Sequence, residues 1–312
     1  MSLVRFLGRH CLAILFVSAF MGLAAPSLAE VFRPFTPFGV FGIVLGAVLR
    51  VEPPELYAEL LRPQAAASLV LWSTVILPLA TLLAPTWLLP AHLAGPLAVI
   101  LAAPTGSTNA PVAAALGGNV VIAVLAAVAT MALAPITMPL IIEQVGGTIA
   151  PNFDALGASA RLLLLTAGSA VLAFVVRRMG HNPRSSGLAD ACTASGLLIF
   201  GIGAMAGISD VIAADLDGAM HGVMVAFAAY AVTCCLGLLA FLRRDWPTAL
   251  TAGLASASRN MGFVWAAVGT AAGPKTYLFF ACYMLPVHTM PFAFKAVASF
   301  RERRSRLSSI ET

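Results

Sequence analysis

Two short polar stretches interrupt long apolar runs, and they hold the side chains best suited to binding chemistry. Residues 103–111 read Ala-Pro-Thr-Gly-Ser-Thr-Asn-Ala-Pro, and residues 256–262 read Ser-Ala-Ser-Arg-Asn-Met-Gly. Hydroxyl, amide and guanidinium groups bind small ions through hydrogen bonds and charge. The candidate substrate-binding residues are therefore Arg259, Asn109, Asn260, Ser107, Thr108, Ser258 and Ser256.

The two stretches occupy corresponding places in the two halves of the chain. Each contains a Ser-X-Asn sequence, at 107–109 and at 258–260, and one further apolar run follows each. A break in a helix frees backbone N–H and C=O groups, which are costly in hydrocarbon unless they face protein, water or a ligand. One such break is typical of a structural kink, whereas two at corresponding places favour the binding site of a secondary transporter.

The composition indicates that both stretches lie inside a membrane. Of 312 residues, 60% are hydrophobic and 10% are charged, with a mean hydropathy of +0.94; a soluble domain is about 25% charged. A helical span needs roughly 20 apolar residues, and the runs are too uniform for barrel strands. We predict an all-α membrane protein of about ten transmembrane helices, at 10–29, 35–51, 65–85, 90–117, 119–142, 159–177, 189–208, 218–242, 247–271 and 276–298.

Basic residues predict the orientation of these spans. With the N-terminus inside, thirteen arginines fall on the cytoplasmic side, and only Arg33, Arg161 and Lys275 fall outside. We therefore expect a bacterial-type inner (plasma) membrane protein with both termini cytoplasmic. Five spans per half is an odd number, so residues 1–147 and 148–312 must form inverted repeats. The alternative for the first segment is a signal peptide cleaved after Ala29, which would leave nine spans.

Other chemistry finds little support in the sequence. The five cysteines lie mostly in apolar runs without metal-ligand spacing, and no hydrolase elbow or zinc motif is present. We expect no catalytic residue, no metal and no cofactor. We also expect no nucleic-acid partner, because the basic residues form short clusters beside apolar runs. An intramembrane enzyme, and a sensor or scaffold, stay open as rival classes.

The interrupted spans and their neighbours resemble those of a known family. Pro104, Gly117-Gly118-Asn119 and the proline pair Pro135 and Pro139 resemble the crossover and following span of the bile acid:sodium symporter family, and Arg259-Asn260-Met261-Gly262 matches the place of its second crossover. The resemblance covers nearly the whole chain in span order. It implies two discontinuous helices that cross, with a small organic anion bound at the crossing and moved by alternating access.

The same resemblance indicates that most sodium ligands are replaced. The family's carboxylate position falls on Ala255, and two of its hydroxyl positions fall on Ala123 and Ala127. A hard cation favours several oxygen ligands, so we expect transport without sodium coupling. The residues that remain as candidate ion ligands are Asn109, Thr108 and Ser73. A sodium symporter with a rebuilt ion site and an arsenite-type efflux carrier are the alternatives within transporters.

Two ionisable residues complete the list of candidates. Arg259 is the only charge that we place near the middle of the bilayer, where it costs about 3 kcal/mol. Three roles stay open for it: binding an anionic group of the substrate through its planar fork, acting as a tethered surrogate for sodium, or bracing the helix break through carbonyls. His288 either faces the cavity and carries a proton or packs as a structural histidine.

Overall fold

The computed structural model describes residues 11–50, 63–84, 86, 89–179, 187–269 and 271–308. Within these ranges the chain is helical, and its only β-type contact is an isolated backbone bridge. In chain order the helices are α1 (Cys11–Ala24), α2 (Pro26–Phe32), α3 (Thr36–Arg50), α4 (Pro63–Leu71), α5 (Leu77–Leu82), α6 (Ala91–Ala102), α7 (Asn109–Leu116), α8 (Val120–Ile149), α9 (Ala155–Arg178), α10 (Leu188–Gly203), α11 (Ile208–Ala214), α12 (Leu216–Phe241), α13 (Trp246–Ala257), α14 (Met261–Val268) and α15 (Pro274–Ser308).

Six helical stretches of the described chain are long and apolar enough to cross a membrane. They are Pro26–Arg50, Gln64–Leu82, Val120–Val145, Ala155–Arg178, Leu188–Ala214 and Leu216–Phe241. The predicted fourth and ninth spans are broken, each into a helix of 12 residues and one of 8. The protein is therefore an all-helical, multi-pass membrane protein.

The predicted end of the first span is wrong, and a proline explains the difference. The first predicted span runs through Pro26, but α1 ends at Ala24 and Pro26 begins a new helix, because proline is accommodated in the first turn and not in a helix interior. Asp210 lies in the first turn of α11, and Asp215 caps α12 by accepting from the Gly218 amide at 2.8 Å. The boundary between the predicted halves, 147/148, lies inside α8.

Close packing joins α1, α3 and α10 into one set of helices, called the flanking group, whereas α9 packs against both α3 and α8. Glycines allow this approach: a Cβ at Gly196 would lie 2.5 Å from the Gly39 carbonyl oxygen, and a Cβ at Gly22 would lie 2.6 Å from the Ile202 oxygen. Helices α4–α8 and α12–α15 form the central group. In it, a Cβ at Gly237 would lie 2.1 Å from Ser256 Oγ, so α12 and α13 are equally close.

Candidate substrate site at the two helix breaks

Both broken helices leave the helical conformation where proline or polar residues follow an apolar helix. Ala103 is extended (φ −63°, ψ 152°) at the end of α6, because the following Pro104 disfavours the helical conformation of the residue before it. Ser258 is also extended (φ −87°, ψ 105°) at the end of α13. Residues 103–108 form the first break and residues 258–260 form the second break.

The two breaks hydrogen-bond to each other in antiparallel fashion. The Gly106 amide donates to the Ser258 carbonyl at 2.8 Å, and the Asn260 amide donates to the Pro104 carbonyl at 2.8 Å. Thr105 and Arg259 form the isolated bridge between them. Backbone groups that the breaks would otherwise leave unpaired at membrane depth are thus partly paired with each other.

The guanidinium of Arg259 lies buried at this crossing, with 1% of the residue exposed. Its Nε donates to the Ser256 carbonyl at 3.1 Å, and its Nη1 donates to the Ala103 carbonyl at 3.2 Å. Its Nη2 has no hydrogen-bond partner among the described residues. A guanidinium has five N–H donors, so after these two bonds one hydrogen on Nη1 and both on Nη2 remain for a ligand.

A cavity of about 50 Å³ lies beside the crossing and brings together five of the predicted site residues. Its volume admits a few water molecules, so a whole organic anion would require the helices around it to separate. The apolar part of the lining comes mostly from α1, α3 and α10. The predicted residues that line it are Ser107, Thr108, Arg259, Asn260 and His288.

The other predicted residues lie outside this cavity. Asn109 is buried and donates from Nδ2 to the Ser258 carbonyl at 3.2 Å, so it holds the second break. Ser256 donates to the Ala252 carbonyl and accepts from Trp72 Nε1 at 2.8 Å, which makes it a helix contact. The Ser258 hydroxyl is buried without a partner in the described chain. Ser73 donates to the Leu69 carbonyl one turn earlier and does not line the cavity with Thr108.

Three of the positions where the family resemblance implies sodium ligands offer no side-chain oxygen. Ala255, Ala123 and Ala127 are buried, and each lies in an apolar cluster.

His288 is buried, and its Nδ1 hydrogen-bonds to the Met284 carbonyl one turn earlier. This bond does not use Nε2, the other ring nitrogen.

Two supporting residues were missed by the sequence reasoning. Thr130 on α8 accepts from the Thr105 amide at 3.1 Å and so pairs a backbone donor of the first break. Tyr283 on α15 donates to the Ala257 carbonyl at 3.1 Å, at the end of α13. A polar side chain within an apolar run is the only sequence signal for either, and many such residues bond only to their own helix.

Two larger cavities adjoin the crossing, and both lie between the flanking and central groups. One, of about 380 Å³, is lined partly by Trp265, and the other, of about 400 Å³, is almost wholly apolar and shares Leu15 and His288 with the small cavity. The rings of Phe200 and Trp265 stand edge to face with centroids 5.7 Å apart. Since Phe200 lines the small cavity and Trp265 the 380 Å³ one, these rings form part of the wall between them.

Comparisons with family models and with curated proteins find no match to this chain.

Proposed function

We propose that the protein is a secondary transporter that moves a small organic anion by alternating access, with the anion bound where the two broken helices cross. The observation that carries the proposal is the antiparallel contact between two helix breaks inside a multi-pass membrane protein. Irregular backbone at membrane depth is tolerated where it is buried in protein or lines a cavity, and paired broken helices are typical of transporter binding sites.

The charge at the crossing supports an anion as the substrate. Helices α7 and α14 begin at the breaks, and the first turn of a helix carries a partial positive charge. Arg259 adds a full positive charge, and neither ion pair found in the described chain involves it. A carboxylate or similar group would balance this charge and could accept from the unpartnered Nη2. Asn260, Ser107 and Thr108 would complete the polar lining.

The division into two helix groups supports alternating access. Helices within each group are packed at glycine contacts, whereas cavities of about 380, 400 and 50 Å³ lie between the groups. A movement of the flanking group against the central group would enlarge the small cavity and connect it to one larger cavity at a time. Rocking of one bundle against another around a fixed site is the usual form of such transport.

The proposal extends to the arrangement of the chain in the membrane. It comprises ten spans in two inverted five-helix repeats, divergent membership of the bile acid:sodium symporter family, and an inner membrane location with both termini cytoplasmic. Ser2 and Ser309 lie outside the described residues and serve as labelling sites. Cysteines placed there should not react with an impermeant reagent in intact cells. Reaction at position 309 contradicts the topology, and reaction or loss at position 2 alone indicates a cleaved first segment.

A thermal-shift screen of the purified protein against organic anions tests the function most directly. A ligand that binds the folded state raises Tm by mass action, so an anion of the right class should stabilise the protein and its neutral amide should not. The anions that bind are then tested for uptake in proteoliposomes. Binding without movement across the membrane would favour a sensor, and chemical conversion of the ligand would favour an enzyme.

A further inference from the structure

The ends of two helices converge on the guanidinium of Arg259. Helix α6 ends at Ala102 and α13 ends at Ala257, and the last four carbonyls of a helix lack partners within it and carry partial negative charge. Arg259 donates to the Ala103 carbonyl beyond the end of α6 and to the Ser256 carbonyl in the last turn of α13. The side chain thus joins two negative helix ends that belong to distant parts of the sequence.

The partners described for this guanidinium are backbone oxygens and not carboxylates. Its two hydrogen bonds within the described chain go to carbonyls, and the nearby hydroxyl of Tyr283 donates to another carbonyl at the end of α13, that of Ala257. A cation held by converging carbonyl dipoles, buried with 1% of its residue exposed, is held in the way that proteins hold bound metal ions with backbone ligands. It is not held in the way of a salt bridge, in which one opposite charge provides the partner.

We propose that the carbonyl oxygens at the ends of α6 and α13 form a site for a small cation, and that the chain fills this site itself with the guanidinium of Arg259. The tethered cation fixes the two breaks against each other, and the site becomes available to a free cation only when the side chain is shortened. This inference goes beyond the proposed function and does not require that the protein transports anything.

Arg161 offers a matched control on the same class of contact. It lies on α9 and donates from Nε and Nη2 to the Ala266 and Ala267 carbonyls, both at 3.1 Å, in the last turn of α14. It is exposed and contacts the end of one helix only. Shortening Arg161 therefore removes two arginine–carbonyl hydrogen bonds without emptying an enclosed site.

The test is chemical rescue of the variant Arg259→Ala. We expect its Tm to fall by roughly 4 °C or more, and millimolar guanidinium or methylguanidinium to restore a large part of the loss. Urea has the same planar shape without the charge and should restore nothing, and sodium and potassium ions test whether a spherical cation also fits. Arg161→Ala should show no specific rescue by any of these solutes.

A second pair of variants covers the case in which Arg259→Ala does not fold. Arg259→Lys keeps a cation on a flexible stem, whereas Arg259→Met keeps a comparable apolar stem and removes the charge. The inference predicts that the Lys variant has the higher Tm of the two. It is overturned if the Met variant is as stable as the Lys variant, or if urea rescues Arg259→Ala as well as guanidinium does. All these measurements concern stability without substrate, so failure of the transport proposal would leave them unaffected.

Discussion

The two helix breaks occupy corresponding places in the sequence but differ in length, charge and support. The first break spans six residues, 103–108, contains no charge and has a backbone donor paired with Thr130 on α8. The second break spans three residues, 258–260, and carries Arg259, which reaches back to the carbonyl of Ala103 in the first. The comparison shows a difference in side chains: both breaks provide carbonyl acceptors and hydroxyls, and only the second provides a cation.

Each backbone hydrogen bond between the breaks runs in the opposite direction to its neighbour. Gly106 donates to Ser258, and Asn260 donates to Pro104. The backbone contact is therefore nearly symmetric, and the asymmetry comes from side chains. Substitutions of those side chains can test this difference without removing the backbone pairing.

The largest effect is expected from removing the charge of the second break. Arg259→Gln should weaken binding of an anionic ligand by roughly 2–5 kcal/mol, the usual loss for one partner of a buried charge pair. A carboxylate ligand and the corresponding amide should then bind to the Gln variant with almost equal affinity, whereas the wild type should bind the carboxylate more tightly. The measurement is the dissociation constant of each ligand for each protein. Unchanged discrimination in the Gln variant would remove Arg259 from the substrate site.

A smaller effect is expected from removing the support of the first break. Thr130→Val leaves the buried amide of Thr105 without its acceptor and should lower the free energy of unfolding by about 1–3 kcal/mol. Thr105→Val is the control, because the Thr105 hydroxyl is buried without a partner in the described chain, and its loss should be neutral for stability. Equal destabilisation by both variants, measured as changes in Tm, would contradict the assigned support.

Substitutions of the two asparagines should have different effects, one on stability and the other on ligand binding. Asn109→Ala removes the bond from Nδ2 to the Ser258 carbonyl and should cost about 1 kcal/mol of stability. Asn260→Ala alters the cavity lining and should chiefly weaken ligand binding. The readouts are Tm without ligand and the ligand-induced rise in Tm. If the two variants lose stability and binding in the same proportion, the two asparagines do not have separate roles.

The smallest effect on ligand affinity is expected from removing sodium. Because alanines occupy the ligand positions at 255, 123 and 127, replacing sodium by choline at constant ionic strength should change ligand affinity by less than about twofold, or about 0.5 kcal/mol. A tenfold loss would show that other oxygens, such as carbonyls of the breaks, bind sodium together with the substrate.

The breaks could be predicted from the sequence because their cause is local. Pro104 and the Ser, Thr and Asn residues around it interrupt an otherwise apolar run, and the structure breaks α6 from α7 there. The second break is equally visible at Ser258, Arg259 and Asn260. Backbone that leaves a helix within hydrocarbon needs polar partners nearby, so composition alone points to the place.

The partners of Arg259 could not be predicted, since they depend on how distant helices meet. Its bond to Ala103 spans 156 positions, and no local pattern identifies one carbonyl among many. Hydrophobicity alone also placed the first span through Pro26, because it does not register where a helix begins.

Because the guanidinium is attached to the chain, it also determines how much net charge crosses the membrane in each transport cycle. In the proposed carrier the positive charge is part of the chain, so it does not cross with the substrate as a separate ion. Without a co-transported ion, each cycle moves only the charge of the anion. A potential that is negative inside is worth about 2.3 kcal/mol per charge for each 100 mV, and it drives a monoanion outward. Arg259 would thereby make the electrical gradient favour export of the anion over its uptake.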